Sequence, residues 1–148
     1  MKRVALLLLF GLIARSVAMA DDSSLRMLKG KCVWQSVSYE TTSGASSSAG
    51  PVTSLAQFTF DGKGNLTIGE YDVSTNGTFA SASGVKGTYQ VDSTGHGTFS
   101  FTSPISGRSL VFDFLLTPKH KALKTMLQSD NNPPPLPRVA SGECRFDQ

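Results

Sequence analysis

Apolar and polar residues alternate in short runs along most of the chain after residue 29. Each run is rich in β-branched and aromatic residues and ends at Gly, Ser, Asn, Asp or Pro. After Ala20, no window of about 11 residues keeps its apolar positions at helical spacing. Short alternating strands separated by turn residues are typical of an all-β sandwich or barrel. The strands that this pattern predicts are Lys31–Tyr39, Ser54–Phe60, Asn65–Asp72, Thr78–Ser81, Gly84–Val91, Gly97–Ser103, Arg108–Thr117, His120–Ser129 and Arg138–Phe146.

These strands follow one another as antiparallel hairpins in up-and-down order. Their number is eight, or nine if the weakly patterned Thr78–Ser81 is a strand of its own. The Ser- and Gly-rich segment Glu40–Pro51 is predicted to be a flexible loop. The proline-rich segment Asn131–Pro137 cannot pair as a central strand, so it is predicted to be a polyproline-like crossing.

The alternation also predicts the inward face of each strand, because side chains two residues apart point to the same side. An eight-stranded barrel is just wide enough to be filled by side chains or to hold one small ligand. A solid core and a ligand cavity therefore both remain open. The predicted inward apolar residues are Phe58, Phe60, Leu66, Ile68, Tyr89, Val91, Phe99, Phe101, Leu110, Phe112, Phe114, Leu116, Leu123 and Leu127.

Residues 1–20 differ in composition from the rest of the chain. Lys2 and Arg3 precede the apolar run Val4–Ala14, and the segment ends in the sequence AMA. A basic start, a short apolar centre and small residues at the end are typical of a secretory signal peptide. The alternative, a buried N-terminal helix, would show polar residues at helical spacing, and this run has none. The run is also shorter than the roughly 20 apolar residues of a membrane span.

Removal of this segment changes the charge of the chain. Lys2, Arg3 and Arg15 are lost, so 11 of the 14 basic residues remain beside 11 acidic residues, and the formal net charge falls from +3 to zero. A neutral mature chain does not favour nucleic acid as a partner. The sequence therefore predicts a signal peptide at 1–20, a polar lead-in at 21–29 and one exported domain at 30–148, located in the periplasm or outside the cell.

Cys32 near the start of the domain and Cys144 near its end are the two cysteines of the chain. An even count in an exported protein predicts a disulfide. A reactive thiol pair would need a Cys-x-x-Cys spacing or a neighbouring base, and neither is visible in the sequence. A disulfide requires Cα atoms within about 7 Å, which would make the first and last strands neighbours. An up-and-down barrel meets this requirement, and so does a sandwich with adjacent terminal strands.

The stretch FTFDGKGNLTI, residues 58–68, has some features of a cation or phosphate loop. A calcium loop that began at Asp61 would place Lys63 at a ligand position. The Gly-x-x-x-x-Gly-Lys pattern of a phosphate loop is also missing. The stretch YQVDSTGHGTF, residues 89–99, aligns with the first stretch without gaps and repeats its Asp, Gly and Thr. The pattern therefore predicts two similar hairpin turns, in which Asp accepts backbone hydrogen bonds and Gly adopts a positive φ.

Few residues are candidates for chemistry. His96 and His120 have no companion at metal-ligand spacing and no Gly-x-Ser-x-Gly motif occurs, so no catalytic residue, metal ligand or cofactor is predicted. Glu70 is a candidate inward carboxylate, because an unbroken strand from Asn65 would place it on the inward face, where it could orient a ligand. If Gly69 marks a bulge instead, Glu70 points outward.

Trp34, the single tryptophan, lies in the stretch LKGKCVWQ. This stretch resembles the Gly-x-Trp opening of lipocalin-like calycin barrels, in which the Trp closes one barrel end, although the spacing here is two residues longer. The stretches LKGKCVW, FTFDGKGNLTIGEYDV, GVKGTYQVDSTGHGTFSF and ASGECRF resemble a large group of uncharacterised exported bacterial proteins and cover most of residues 28–146. The resemblance implies a small calycin-like barrel and brings no catalytic residues. The cysteine pair looks like an elaboration of this member.

Three functional hypotheses follow. The first is a non-enzymatic exported barrel that binds a small, largely apolar molecule in its interior. The second is a protein-interaction module, for example an inhibitor of an exported hydrolase, with a solid core and functional loops at Glu40–Pro51 and Asn131–Pro137. The third is an enzyme that uses Glu70 or a histidine. The candidate ligand-binding residues of the first hypothesis are Trp34, Phe58, Phe60, Glu70, Tyr89, Phe99, Phe101, Phe112 and Phe114.

The predicted cleavage site can be checked directly. If residues 1–20 are a signal peptide, the protein recovered from the exported fraction begins at Asp21, because cleavage follows the small residues of AMA. N-terminal sequencing and intact-mass measurement would show this start. Recovery of an exported protein that still carries Met1 would contradict the prediction.

Overall fold

Eight antiparallel strands close into a barrel in the computed structural model, which describes residues 22–40, 51–75, 77–130 and 138–146. Each strand pairs with the next along the chain, and the last strand returns to pair with the first. The predicted all-β, up-and-down barrel is therefore confirmed, and the sandwich is not the fold. The strands are β1 (Lys29–Glu40), β2 (Pro51–Asp61), β3 (Asn65–Thr75), β4 (Thr78–Val91), β5 (His96–Thr102), β6 (Ser109–Leu116), β7 (Ala122–Asp130) and β8 (Arg138–Phe146).

Strict alternation along the strands builds the core. In β2, every second residue from Val52 to Phe60 is buried, while Thr53, Leu55 and Gln57 between them are exposed. Side chains of successive residues point to opposite faces of a sheet, so the buried set faces the barrel axis. The inward side chains of all eight strands meet in one core. Removal of this apolar surface from water is the main favourable contribution to folding.

Several predicted strand boundaries differ from the structure. β2 begins at Pro51, where Ser54 was predicted, and β3 continues to Thr75, beyond the predicted end at Asp72. β4 is one strand across the region where two were predicted, because its pairing with β3 continues on both sides of Gly84, from Ile68↔Val85 to Glu70↔Ser83. The barrel therefore has eight strands and not nine. The predicted start at His120 is also wrong, because Pro118–His120 forms a short 3-10 turn and β7 begins only at Ala122.

The N-terminal segment closes one end of the barrel, here called the plug end. A one-turn helix, α1 (Asp22–Leu25), leads into Leu28, which is completely buried in the core. The Tyr89 hydroxyl donates to the carbonyl oxygens of Leu25 at 3.2 Å and Leu28 at 2.8 Å. Burial raises the pKa of Tyr89 and so favours the protonated phenol that donates these bonds. The segment predicted as a polar lead-in is thus part of the folded domain.

The Cys32–Cys144 disulfide joins the first and last strands. Its Cα atoms lie 5.6 Å apart, and both side chains are buried. In the β1–β8 ladder Cys32 pairs with Phe146, and Trp34 pairs with Cys144, so the bridge runs diagonally between adjacent strands. The predicted pairing of the two cysteines is confirmed, and it ties the strands whose pairing closes the barrel.

The end of the barrel opposite to the plug is called the mouth. There β7 and β8 separate, because their ladder runs only from Ala122↔Arg145 to Met126↔Ser141. The neighbouring ladders continue further toward the mouth, to Glu40↔Arg138 between β1 and β8 and to Leu110↔Asp130 between β6 and β7. We call this part of the wall, beyond the last β7–β8 pair, the β7–β8 seam.

Several predictions fall on parts of the chain that the structure does not describe. They are the signal peptide at residues 1–20, the loop residues 41–50 and the proline-rich residues 131–137. Within the described ranges, no helix has the length and apolar character needed to cross a bilayer.

Loss of the disulfide is expected to destabilise the barrel strongly. The bridge spans 112 residues, and the chain-entropy model gives about 4–5 kcal/mol for a loop of that size. Urea denaturation of the oxidised protein and of a Cys32→Ala, Cys144→Ala variant measures the difference in the free energy of unfolding. The reductant should leave the variant unchanged, which serves as a control. Equal stability of the oxidised and verified reduced protein would contradict the expectation.

Candidate functional site

The predicted aromatic residues all face the barrel axis. Each is at most 3% exposed. Their rings pack against one another, with centroids 5.2 Å apart for Trp34 and Phe58 and 5.0 Å apart for Phe99 and Phe112. They therefore fill the deep interior of the barrel, where the first hypothesis placed a ligand cavity. The inward aromatic residues are Trp34, Phe58, Phe60, Tyr89, Phe99, Phe101, Phe112 and Phe114.

Trp34 lies about halfway along β1, at the boundary between two kinds of interior. Its ring stacks on Phe58, and it packs edge-to-face with Phe112, with ring centroids 5.2 Å apart. The indole Nε1 donates a hydrogen bond to the Thr125 Oγ1 at 3.2 Å. This bond fixes the indole, because a buried N–H that lost its partner would cost about 1–3 kcal/mol.

Small residues replace the aromatic ones on the mouth side of Trp34. Ser36 and Ser38 follow on the inward face of β1, and Ser54 and Ala140 occupy inward positions on β2 and β8. They leave a recess of about 10 Å³, close to the space that one water molecule needs. The recess is lined by Trp34, Ser36, Ser38, Ser54, Tyr71, Leu110, Phe112, Leu127 and Ala140.

Two of the serine hydroxyls are buried without a protein partner. Ser36 is 4% exposed and Ser54 is 8% exposed, and neither donates to or accepts from another group in the described part of the chain. Ser38 donates to the Val52 carbonyl oxygen, but at a long distance of 3.4 Å. A buried hydroxyl without a hydrogen bond costs about 1–3 kcal/mol. The recess thus presents groups that can gain a hydrogen bond from a molecule that enters it.

The described residues that line this recess carry no charge. The nine lining residues are three serines, three aromatic residues, two leucines and one alanine. A carboxylate or ammonium group that entered the recess would lose its hydration, and these side chains offer no opposite charge in return. Transfer of an unpaired charge out of water is costly. The lining therefore suits a neutral group.

The serines were not among the predicted site residues, although the sequence contained a signal for them. Trp34, Ser36 and Ser38 alternate along β1, and Ser54, Ala56 and Phe58 alternate along β2. The same rule of alternation that placed the aromatic residues inward places these serines inward. The sequence analysis followed only the apolar members of each face.

Glu70 is not part of the recess, because its side chain is exposed on the outer face of β3. Phe58 pairs with Ile68 but Ala56 pairs with Tyr71, so Gly69 and Glu70 together face Gln57. This extra residue is a β-bulge, the alternative that the sequence left open. Because of it, Tyr71 takes the inward position and Glu70 is exposed.

The two glycine-rich stretches are hairpin turns, as predicted. The Asp61 Oδ1 accepts from the backbone N–H of Lys63 at 2.7 Å and of Asn65 at 3.0 Å. In the second turn, the Asp92 Oδ1 accepts from the backbone N–H of Thr94 at 2.8 Å and of His96 at 3.1 Å. Gly64 and Gly95 have φ of 97° and 84°, in the left-handed region that glycine adopts without strain.

Hydrogen bonding lowers the pKa of both turn carboxyl groups. For Asp61, desolvation raises the pKa, but the hydrogen bonds from Asn65 and Lys63 outweigh it and the net shift is downward. For Asp92, hydrogen bonds from Thr94 are the main cause of the lowering. No group of three or more His, Cys, Asp or Glu that could hold a metal ion occurs among the residues the structure describes.

Comparison with protein-family models, with curated proteins and with solved structures finds no match to this chain. Inference about function therefore starts from the barrel itself and from the recess at its mouth.

The turn aspartates are expected to make stability fall in acid. A pKa that is lower in the folded than in the unfolded state means that the unfolded state takes up protons first. The contribution is therefore present above the ordinary value of 3.8 and is lost as the pH falls below it. Thermal unfolding between pH 6 and pH 2 should show a smaller decline in an Asp61→Asn, Asp92→Asn variant. An Asp113→Asn variant is the control, and equal acid sensitivity of all three proteins would contradict the expectation.

Proposed function

We propose that this protein is an exported, non-enzymatic β-barrel that binds a small, largely apolar molecule at its mouth. The observation that carries the proposal is the recess over Trp34, in which the buried hydroxyls of Ser36 and Ser54 have no hydrogen-bond partner among the residues that the structure describes. A folded chain that retains such groups pays for them in stability unless something else satisfies them. Export is supported by the buried disulfide, since disulfides persist in oxidising compartments.

The mouth is a better location for a ligand than the deep interior. Toward the plug end, the aromatic side chains are in mutual contact and Leu28 covers the core. A ligand there would have to displace close-packed rings, with the loss of their dispersion contacts. At the mouth, the indole of Trp34 and the ring of Phe112 form an apolar floor beneath a recess that the inward side chains leave open.

The β7–β8 seam supplies an entrance beside this floor. Leu127 and Ala140 are the first residues beyond the last β7–β8 pair, and both line the recess. Backbone hydrogen bonds between β7 and β8 therefore do not have to break for a molecule to reach Trp34. The apolar chain of a ligand can then lie along Leu127 at the seam, while one end of the ligand occupies the recess.

Binding suits the recess better than catalysis does. General acid–base chemistry requires a titratable group within hydrogen-bond reach of the reacting atom. The nine lining residues offer hydroxyl groups without a carboxylate, imidazole or ammonium group beside them. The serines can thus orient a ligand through hydrogen bonds, and nothing in the lining would activate them as nucleophiles.

A second candidate function is a protein-interaction module, and one surface favours it. The outer face of β1 and β2 carries eight successive outward residues without a charge, and Val33, Leu55 and Tyr39 on it are 48%, 48% and 57% exposed. Interface centres are depleted in charged residues in the same way. The eight residues are Val33, Gln35, Val37, Tyr39, Pro51, Thr53, Leu55 and Gln57.

Ligand binding can be tested on the exported protein with its disulfide intact. Mass spectrometry under native conditions is expected to show a small molecule bound to the protein, and denaturing conditions should release it. The emission of Trp34, the single tryptophan, should shift when the ligand is removed, because its ring forms the floor of the recess.

Two outcomes would contradict this function. One is a repeatedly bare protein whose Trp34 emission does not respond to small apolar molecules. The other is a bare protein that binds an exported partner protein and loses it on Leu55→Lys substitution, which would favour the interaction module. A Thr98→Lys substitution on the outer surface of β5 is the matched control.

A further inference from the structure

Ser36 and Ser54 lie side by side on the inner face of the barrel wall. They are direct partners in the β1–β2 ladder, and both side chains point inward. Directly opposite residues in an antiparallel pair have Cβ atoms about 4.5–5.5 Å apart, so two hydroxyls at such positions can reach one common atom. They form no hydrogen bond with each other or with other groups in the described part of the chain.

The residues of β8 next to this serine pair have small side chains or none. Ser36 pairs on its other side with Gly142 of β8. A Cβ atom at Gly142 would lie 2.9 Å from the Ser36 Cβ and 2.9 Å from the Thr125 Oγ1. Ala140, the next inward residue of β8, lines the recess together with the serines. A larger residue at Ala140 would narrow the recess, and a Cβ atom at Gly142 would collide with the Gln35 backbone oxygen at 2.5 Å.

From this arrangement we propose that Ser36 and Ser54 form a subsite for one neutral hydrogen-bonding group of the ligand, an alcohol hydroxyl or a carbonyl oxygen. The proposal rests on the proposed function, since it names the class of ligand for the same recess. A hydroxyl side chain both donates and accepts, so the pair serves either group. The ligand is then a neutral amphiphile that enters with its polar end first.

The volume and charge of the recess set the limits of this class. A space of about 10 Å³ admits one polar heavy atom, and the apolar remainder of the ligand lies along Leu127 and the seam. A carboxylate head would lose its hydration without gaining a cation from the lining. A pure hydrocarbon would cover the hydroxyls without satisfying them. Both should bind more weakly than the alcohol of equal chain length.

The test uses three probes with six carbon atoms, which are hexan-1-ol, hexane and hexanoate at neutral pH. Their binding to the oxidised, ligand-free protein is followed by Trp34 emission. We expect hexan-1-ol to bind about tenfold more tightly than either of the others, as one or two hydrogen bonds to a buried group allow. In a Ser36→Ala, Ser54→Ala variant, hexan-1-ol and hexane should bind within about twofold of each other.

Thermal unfolding of the same variants separates a ligand subsite from a structural role. Removal of two unpartnered buried hydroxyls should leave the melting temperature equal or higher, whereas removal of hydroxyls that hold the fold together would lower it. Ser83→Ala, on the exposed outer surface of β4, is the control and should change neither binding nor stability. Ala140→Val, which leaves the serines intact and narrows the recess, should weaken the binding of hexan-1-ol.

The outcomes distinguish the subsite from the function on which it rests. Equal affinity of the wild-type protein for all three probes would overturn the subsite and leave apolar binding at the mouth in place. Preference for hexan-1-ol that survives in the double variant would overturn it as well. Failure of every probe to bind, together with a bare native mass spectrum, would remove the proposed function itself.

Discussion

The narrow interior of an eight-stranded barrel limits where this protein has room for a ligand. Such an interior is just wide enough for the inward side chains of its own strands, so each inward position is either filled or left small. From the plug end up to Trp34, bulky rings fill it. Beyond Trp34, serine and alanine leave it partly open. The choice of residue size along the inward faces of β1 and β2 thus divides one barrel into a core and a site.

The disulfide and the contacts of Trp34 lie beside the boundary between the filled core and the recess. The disulfide and the ring contacts of Trp34 fix the strands next to the recess, and the Thr125 hydroxyl holds the indole that forms its floor. A binding site gains specificity when its groups are held rigidly before the ligand arrives, because less entropy is then lost on binding. The seam between β7 and β8 lies on the other side of the recess, where the ladder has already ended.

The alternation of residues in the sequence predicted antiparallel strands in up-and-down order and the inward aromatic residues. The even cysteine count predicted the disulfide, which a barrel or a sandwich could accommodate, and the repeated Asp and Gly residues predicted both turns. Three features depend on tertiary structure, and the sequence raised only one of them, the bulge at Gly69, as one of two alternatives. The bulge at Gly69 reverses the face of Glu70, because one extra residue shifts the alternation. Pairing with β3 carries β4 through Gly84, and Leu28 becomes core only because the barrel end needs a cover. None of these follows from the local pattern of polar and apolar residues.

The recess was missed for a different reason. A serine on an inward face interrupts the apolar pattern of its strand. Whether it lines a recess depends on the size of the residues that pair with it on the neighbouring strands. In this barrel a second serine stands opposite, and glycine and alanine stand beside them on β8. Apolar residues at Ser36 and Ser54 would satisfy the strand pattern and avoid the desolvation of two hydroxyls. Natural sequences break such local rules mostly at functional sites, and for this reason the proposed ligand site is placed at the mouth.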